Sequence, residues 1–239
     1  PFRAPHHTTS HVALVGGGAN PRPGEITLAH HGVLFLDEFP EFERRSIESL
    51  RQPLEDGIIH ISRAKGHEIY PARFLLVAAL NPCPCGFRGS IHKTCVCRET
   101  DLVRYDRKIS GPIADRIDLW VPVEHVEYEK LNTTPQHAQT SKDYRTDVQK
   151  ARNFSAKRNK SLLKLTNNEL TSNEVQKVGN FTDEALQVAI KSAEKLSLSP
   201  RSYFKLLKVA RTIADLDENE SVLSKHILEA LQYRKQDIK

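Results

Sequence analysis

The 239-residue chain contains no methionine, a single tryptophan (Trp120) and few aromatic residues, 7% in all. With no initiator, it is expected to be a fragment or a processed product. No apolar stretch approaches the roughly 18 to 20 residues that a membrane span requires, and no signal peptide opens the sequence. A soluble, cytoplasmic protein without a membrane partner is therefore expected. Cysteine is scarce too: there are four, all between Cys83 and Cys97. In a reducing compartment that clustering argues for a metal or redox role rather than a disulfide framework. Neither sign of charge is missing. Lys and Arg exceed Asp and Glu by five, which permits an anionic partner such as nucleic acid without requiring one.

What is present divides the chain in two. Gly, Pro and Cys concentrate in the first half, whereas the segment after about Asn132 is rich in Lys, Leu, Ala, Ser and Asn with helical periodicity. The fold class expected is α/β, a partial core with a parallel sheet over residues 1–131, followed by a linker and an all-α domain over residues 132–239. The opening Pro1 to Asn20 reads as loop or hairpin, and Glu25 to His30 as a helical turn. Val33-Leu34-Phe35-Leu36 and Phe74 to Leu80 read as strands buried on both faces, with Ile117 to Val123 a third strand carrying Trp120 into the core. Phe42 to Leu54 reads as one amphipathic helix ended by Asp56-Gly57. Ile58 to Ser62 and Glu68 to Tyr70 flank a hairpin with a basic tip. Later helices are expected at Lys142 to Asn159, Asn168 to Lys177, Asp183 to Leu196, Pro200 to Leu216 and Ser221 to Arg234. Thr182 and Ser199-Pro200 are good helix starts.

The chemistry starts at Asp37-Glu38, adjacent carboxylates delivered at the C-terminal end of an apolar strand, the edge where α/β sheets bind ligands. Asp37 is placed to hold Mg²⁺ and Glu38 to polarise the attacking water in phosphoanhydride cleavage; the plain alternative is a strand end with two solvated acids. Asn81 ends the next strand, where a neutral polar side chain can hold that water. Arg116 precedes the expected third strand, and Arg201 opens a helix in the all-α part. A lone Asn or Arg is usually structural; four such elements in this order are far less a matter of chance.

The motifs Pro1-Phe2-Arg3-Ala4-Pro5-His6-His7, Ala13-Leu14-Val15-Gly16-Gly17-Gly18, Gly32 to Phe39, Leu50-Arg51-Gln52-Pro53-Leu54-Glu55, Asn81-Pro82-Cys83-Pro84-Cys85-Gly86, Ile109-Ser110-Gly111-Pro112 and Val209 to Leu216 cover nearly the whole chain. On these the sequence resembles the ComM/YifB group of magnesium-chelatase-like AAA+ ATPases. The resemblance implies a P-loop NTPase core with a helical lid, ATP and Mg²⁺ as cofactors, a hexameric ring with ATP at subunit interfaces, and a DNA helicase that drives branch migration. It further implies that Asp37 and Glu38 are the Walker B pair, Asn81 sensor 1, Arg116 the arginine finger acting on a neighbour's nucleotide, and Arg201 sensor 2. One departure stands out: no Gly-x-x-x-x-Gly-Lys-Ser/Thr occurs, so the phosphate-binding loop is expected upstream of Pro1 and this chain alone is expected to be inactive.

Arg63, Lys65 and His67 at the hairpin tip resemble the pre-sensor hairpin that points into the ring channel of related motors, where cationic side chains track DNA phosphates without reading sequence; the alternative is a solvated turn. Cys83-x-Cys85 and Cys95-x-Cys97 are two thiol pairs able to complete a tetrahedral zinc shell, with His92 as a substitute ligand. Buried or free thiols are the alternative. The pairs His6-His7 and His30-His31 read as loop packing or substrate contact rather than metal ligands. Two other function classes remain open: a chelatase-type ATP-driven remodelling subunit acting on a metal-insertion partner, and a non-catalytic zinc-bearing interaction module. The Asn81 to Gly86 pattern leans away from chelatase subunits.

Overall fold

The computed structural model describes residues 1–18, 21–63, 66–90, 93–123 and 139–235, without the side chains of 62–66. The chain is mixed α/β with a parallel sheet and a mostly helical C-terminal region. It forms two compact units, Pro1–Arg116 and Ile117–Gln236. No helix among the described residues is long and apolar enough to cross a membrane.

The first unit is built on β1 (Phe2–Arg3), α1 (His11–Val15), β2 (Gly16–Gly17), β3 (Arg22–Pro23), α2 (Glu25–Leu28) and β4 (Val33–Leu36). The opening segment therefore contributes a strand, which its loop-like composition does not announce. Phe2 and Arg3 pair in parallel with Val33 and Leu34, while β2 and β3 form a small antiparallel pair. A 3-10 turn (Phe39–Glu41), α3 (Arg44–Ser49) and α4 (Arg51–Asp56) follow. Two short helices replace the single expected one because Pro53 has no amide hydrogen and its ring crowds the carbonyl four residues earlier, at Ser49, where α3 ends. Gly57, at φ 68°, closes α4 with its amide on the Pro53 carbonyl, a left-handed cap that glycine adopts without strain.

Next come the hairpin β5 (Ile58–Arg63) and β6 (Gly66–Pro71), then β7 (Leu75–Ala78), α5 (Glu99–Asp106) and α6 (Gly111–Ala114). The sheet order is β1-β4-β7. In parallel register Val33 faces Leu75 and Leu36 faces Ala78. Alternation along the pleat puts Leu34 and Leu36 on a fully buried face. On the other face lie Phe2, 66% exposed and stacked on Phe35 at 6.2 Å, and Leu75, 61% exposed. The expectation of strands buried on both sides is corrected accordingly: Leu34 and Leu36 are fully buried on one face, and the other face is largely open.

The segment expected as a third strand, Ile117 to Val123, pairs with no strand among the described residues. Leu119, Val121 and Val123 are exposed, and the Trp120 amide donates to the Tyr233 carbonyl at 2.8 Å. Alternating apolar residues propose a strand, but without a neighbouring ladder the backbone finds other partners. Trp120 is half-buried, with the Lys235 ammonium 5.7 Å from its ring centre.

The rest of the second unit comprises α7 (Ser141–Asn159), a 3-10 turn (Asn167–Glu169), α8 (Ser172–Val178), α9 (Asp183–Lys195), α10 (Pro200–Leu216) and α11 (Ser224–Gln232). The helix expected from Asn168 is interrupted because Thr171 caps α8, its hydroxyl accepting from the Glu174 amide at 3.3 Å. Thr182 and Ser199 cap α9 and α10 in the same way. Leu206, Leu207, Ala210 and Ala214 of α10 lie in a fully buried core with Val175, Ala189 and Ile227. An ionic network is centred on buried charges of the same unit. Asp215, 1% exposed, meets Arg158, Arg211 and the Asn167 amide. The fully buried Arg211 donates in turn to the Gly179, Glu220 and Asn219 carbonyls. The arginine and aspartate of the Val209 to Leu216 motif thus hold helix ends and loops together.

Candidate active site

The parallel register of β4 and β7 brings their C-terminal ends to one edge. Asp37 and Glu38 directly follow β4, and Asn81 follows β7; all three are exposed. The bend after β4 is held by the Phe39 amide on the Ala79 carbonyl at 2.9 Å and by the Glu38 amide on Asp37 Oδ1 at 2.9 Å. Glu38 itself adopts φ 50°, ψ 43°. A left-handed conformation costs a residue with a Cβ about 1–3 kcal/mol and persists only where the surroundings impose it. The strained bend ends the strand at the two carboxylates. Exposed oxygen ligands of this kind suit a hard divalent cation.

Two neighbours of this edge escape sequence reasoning. The His7 Nδ1 lies 2.8 Å from Glu38 Oε2, brought there by the parallel pairing of β1 with β4. The Tyr105 hydroxyl, on α5, donates to the Asn81 carbonyl at 3.1 Å. Burial, helped by the charge of Glu41, pushes the Tyr105 phenol up to about 12, so it stays a donor at physiological pH. His6 lies against His7 and His30 against His31 with tilted rings, centres 4.1 and 3.9 Å apart. The His30 Nδ1 accepts from the Arg73 amide, a packing role.

Arg116 sits just beyond α6 rather than ahead of a strand. Its guanidinium donates to the Arg51 carbonyl at 3.0 Å and the Pro112 carbonyl at 2.8 Å, and pairs with Glu55. Glu55 belongs to the Leu50 to Glu55 motif, so this contact joins two motifs far apart in sequence. Arg201 is the exposed second residue of α10, in the helical unit. At the hairpin, Ser62 pairs with His67 and Arg63 with Gly66; His67 is exposed, while Lys65, the Arg63 side chain and His92 lie outside the described residues.

The four cysteines converge. Sulfur to sulfur, Cys83 is 3.4 Å from Cys85 and 3.7 Å from Cys95, and Cys85 is 3.5 Å from Cys95. All four sulfurs lie within 4.8 Å of one another, and among the described residues no other group of three or more His, Cys, Asp or Glu is so gathered. None is in a disulfide. The turn that folds the first pair back places Gly86 at φ 81° with its amide on the Cys83 carbonyl, and the Arg88 amide donates to the Cys83 sulfur at 3.3 Å. Amides of Phe87 and Val96 hold the Cys85 thiol down to about 6, whereas burial pushes Cys97 up to about 12. A zinc tetrahedron with Zn–S bonds of about 2.3 Å has S···S edges of about 3.8 Å, so the observed spacing fits that ion.

The chain is 45% identical to the competence protein ComM of Haemophilus influenzae over 235 residues, 98% of this chain and 45% of that protein. It is 44% identical to the uncharacterized protein YifB of Escherichia coli, again over 98% of this chain and 45% of the relative. The DNA replication licensing factor mcm6 of Dictyostelium discoideum is 25% identical over 228 residues, 93% of this chain and 25% of that protein. The chain thus spans under half the length of the curated relatives it matches. The family model for magnesium chelatase subunit ChlI matches residues 1–131 and that for the ChlI C-terminal region residues 138–234, and the chain belongs to this magnesium-chelatase-like family, on the side of ComM and YifB.

Proposed function

We propose that the chain is the Walker B-to-lid portion of a ring-forming AAA+ ATPase that couples ATP hydrolysis to translocation or branch migration on DNA. The observation that carries this reading is the shared edge of β4 and β7, with Asp37, Glu38 and Asn81 on adjacent parallel strands. Asp37 holds the metal, Glu38 accepts the proton of the attacking water, and Asn81 orients that water. Bound Mg²⁺ neutralises charge on the phosphate oxygens. Arg116 serves the nucleotide of a neighbouring subunit in a hexamer: it exchanges the carboxylate of Glu55 for phosphate oxygens, one anion for another. Arg201 acts as the lid's sensor. Arg63, Lys65 and His67 follow the DNA backbone, and the four thiols carry zinc. The cofactors are therefore ATP, Mg²⁺ and zinc. The DNA reading draws on the likeness to a DNA replication licensing factor and to a competence protein.

The test is steady-state ATP hydrolysis by the full-length protein with and without DNA. Glu38→Gln is expected to lower kcat roughly 10²- to 10⁴-fold, the range for a lost general base, while nucleotide binding persists. Unchanged turnover would sink the assignment of Glu38. Turnover stimulated by a protein partner and indifferent to DNA would favour the chelatase-type alternative.

A further inference from the structure

We propose that Cys83, Cys85, Cys95 and Cys97 bind one Zn²⁺ whose task is to position Asn81, so that a metal outside the reaction sets the rate of the reaction. The geometry of the binding part stands on its own. Two Cys-x-Cys arms, separated by the segment 86–94, bring four sulfurs within 4.8 Å of one another, those of Cys83, Cys85 and Cys95 at 3.4–3.7 Å, against about 3.8 Å on the edge of a zinc tetrahedron. Cys83 is fully buried and the other three half-buried, which shields a site from solvent on one side and leaves an entry on the other. The Arg88 amide aimed at the Cys83 sulfur is the kind of outer contact that neutralises and orients a metal-bound thiolate.

The positioning part comes from what the two arms are tied to. Cys83 is two residues beyond Asn81, through Pro82, whose ring restricts the backbone between them. Cys97 is two residues before α5, whose Tyr105 hydroxyl holds the Asn81 carbonyl. Arg88, inside the loop, pairs with Asp106 at the end of the same helix at 2.9 Å. A metal joining Cys83 to Cys97 therefore closes a ring: strand end, thiolate cluster, helix, tyrosine, and back to the strand end. With the metal gone, the direct tie between Cys83 and Cys97 is lost and the Tyr105 bond and the Arg88–Asp106 pair remain to hold that ring, and displacing a group that orients the attacking water by about 1 Å costs on the order of 10²-fold in rate. This second part rests on the reading of Asn81 as the water-orienting residue; the metal site does not.

The experiment uses full-length protein purified without chelator. Zinc is measured by elemental analysis, Co²⁺ is exchanged in to read the absorption of a tetrahedral thiolate site, and kcat and KM for ATP are measured before and after zinc removal. Because Cys83 is buried and its variants risk misfolding, the half-buried Cys97 is changed. Cys97→Ser is expected to lose the zinc and about 10-fold or more in kcat with little change in KM, and Cys97→His, which preserves a ligand, to restore both. One zinc per chain, a cobalt spectrum and a kcat that follows zinc content support the proposal. Wild-type protein that hydrolyses ATP without zinc and gives no cobalt spectrum overturns the metal site and leaves the ATPase reading intact. Zinc-replete and zinc-free protein with equal kcat overturns the positioning role. Protein that binds zinc but hydrolyses no ATP upholds the site, removes its catalytic role and overturns the ATPase reading.

Discussion

In the helical unit Arg211 and Asp215 are sealed among helices, with the partly buried Arg158 beside them, and these charges meet one another or backbone carbonyls. In the α/β unit Asp37, Glu38 and Asn81 stand exposed on a strand edge, and one face of the sheet keeps Phe2 and Leu75 in solvent. The same residue types thus have opposite consequences. Inside the helical unit a carboxylate is a structural pin, since removing one partner leaves an uncompensated buried charge. At the strand edge a carboxylate is solvated, contributes little to folding and is available to a ligand.

Substitution at the two aspartates breaks the comparison most directly. Asp215→Ala is expected to destabilise by about 3–5 kcal/mol, read from equilibrium urea unfolding followed by circular dichroism. Asp37→Ala is expected to stay within about 0.5 kcal/mol, as surface changes usually do. Equal effects at both positions would erase the distinction between pin and ligand. A smaller change sharpens the picture of a helical unit held by local signals as well as by its core. Thr182→Ala removes the hydroxyl that caps α9 at the Ala185 amide and should cost about 1 kcal/mol; a loss under a few tenths would mean that packing alone sets that helix start.

The smallest effect is electrostatic. Glu174 pairs with Lys164 and accepts from the Thr171 amide at 2.6 Å, and these contacts, Lys164 first, pull its carboxyl from 4.5 to about 2. A carboxyl depressed in the folded state contributes its full stabilisation above the unfolded value and loses it as pH falls toward the folded one. Stability attributable to Glu174 should therefore be present at neutral pH and fade between about pH 4.5 and 2. Glu174→Gln should flatten that part of the acid profile in urea titrations at several pH values; an unaltered slope would place the acid sensitivity elsewhere.

Much of this was legible along the chain. The apolar run Val33 to Leu36 ending in Asp37-Glu38 announces a strand that ends in two exposed carboxylates, Ser199-Pro200 announces α10, and two Cys-x-Cys pairs announce a metal-sized cluster. These are local patterns, set by pleat, cap and ligand chemistry within a few residues. Pro53 carried its message too, a helix break at Ser49, although the amphipathic periodicity around it reads as continuous helix. Ile117 to Val123 misleads for the opposite reason: alternation specifies which faces differ but not whether a partner strand exists.

By itself, then, the sequence determined the family resemblance, the identity of the acidic strand end and the spacing of the thiols, because each is a property of neighbouring residues. Tertiary structure alone decided that His7 meets Glu38, that Tyr105 holds Asn81, that Arg116 rests on Glu55 and that Arg211 and Asp215 are buried together. Each of these contacts, apart from the last, joins segments remote in the chain, and burial depends on what every other segment contributes as cover. No window of sequence contains that information.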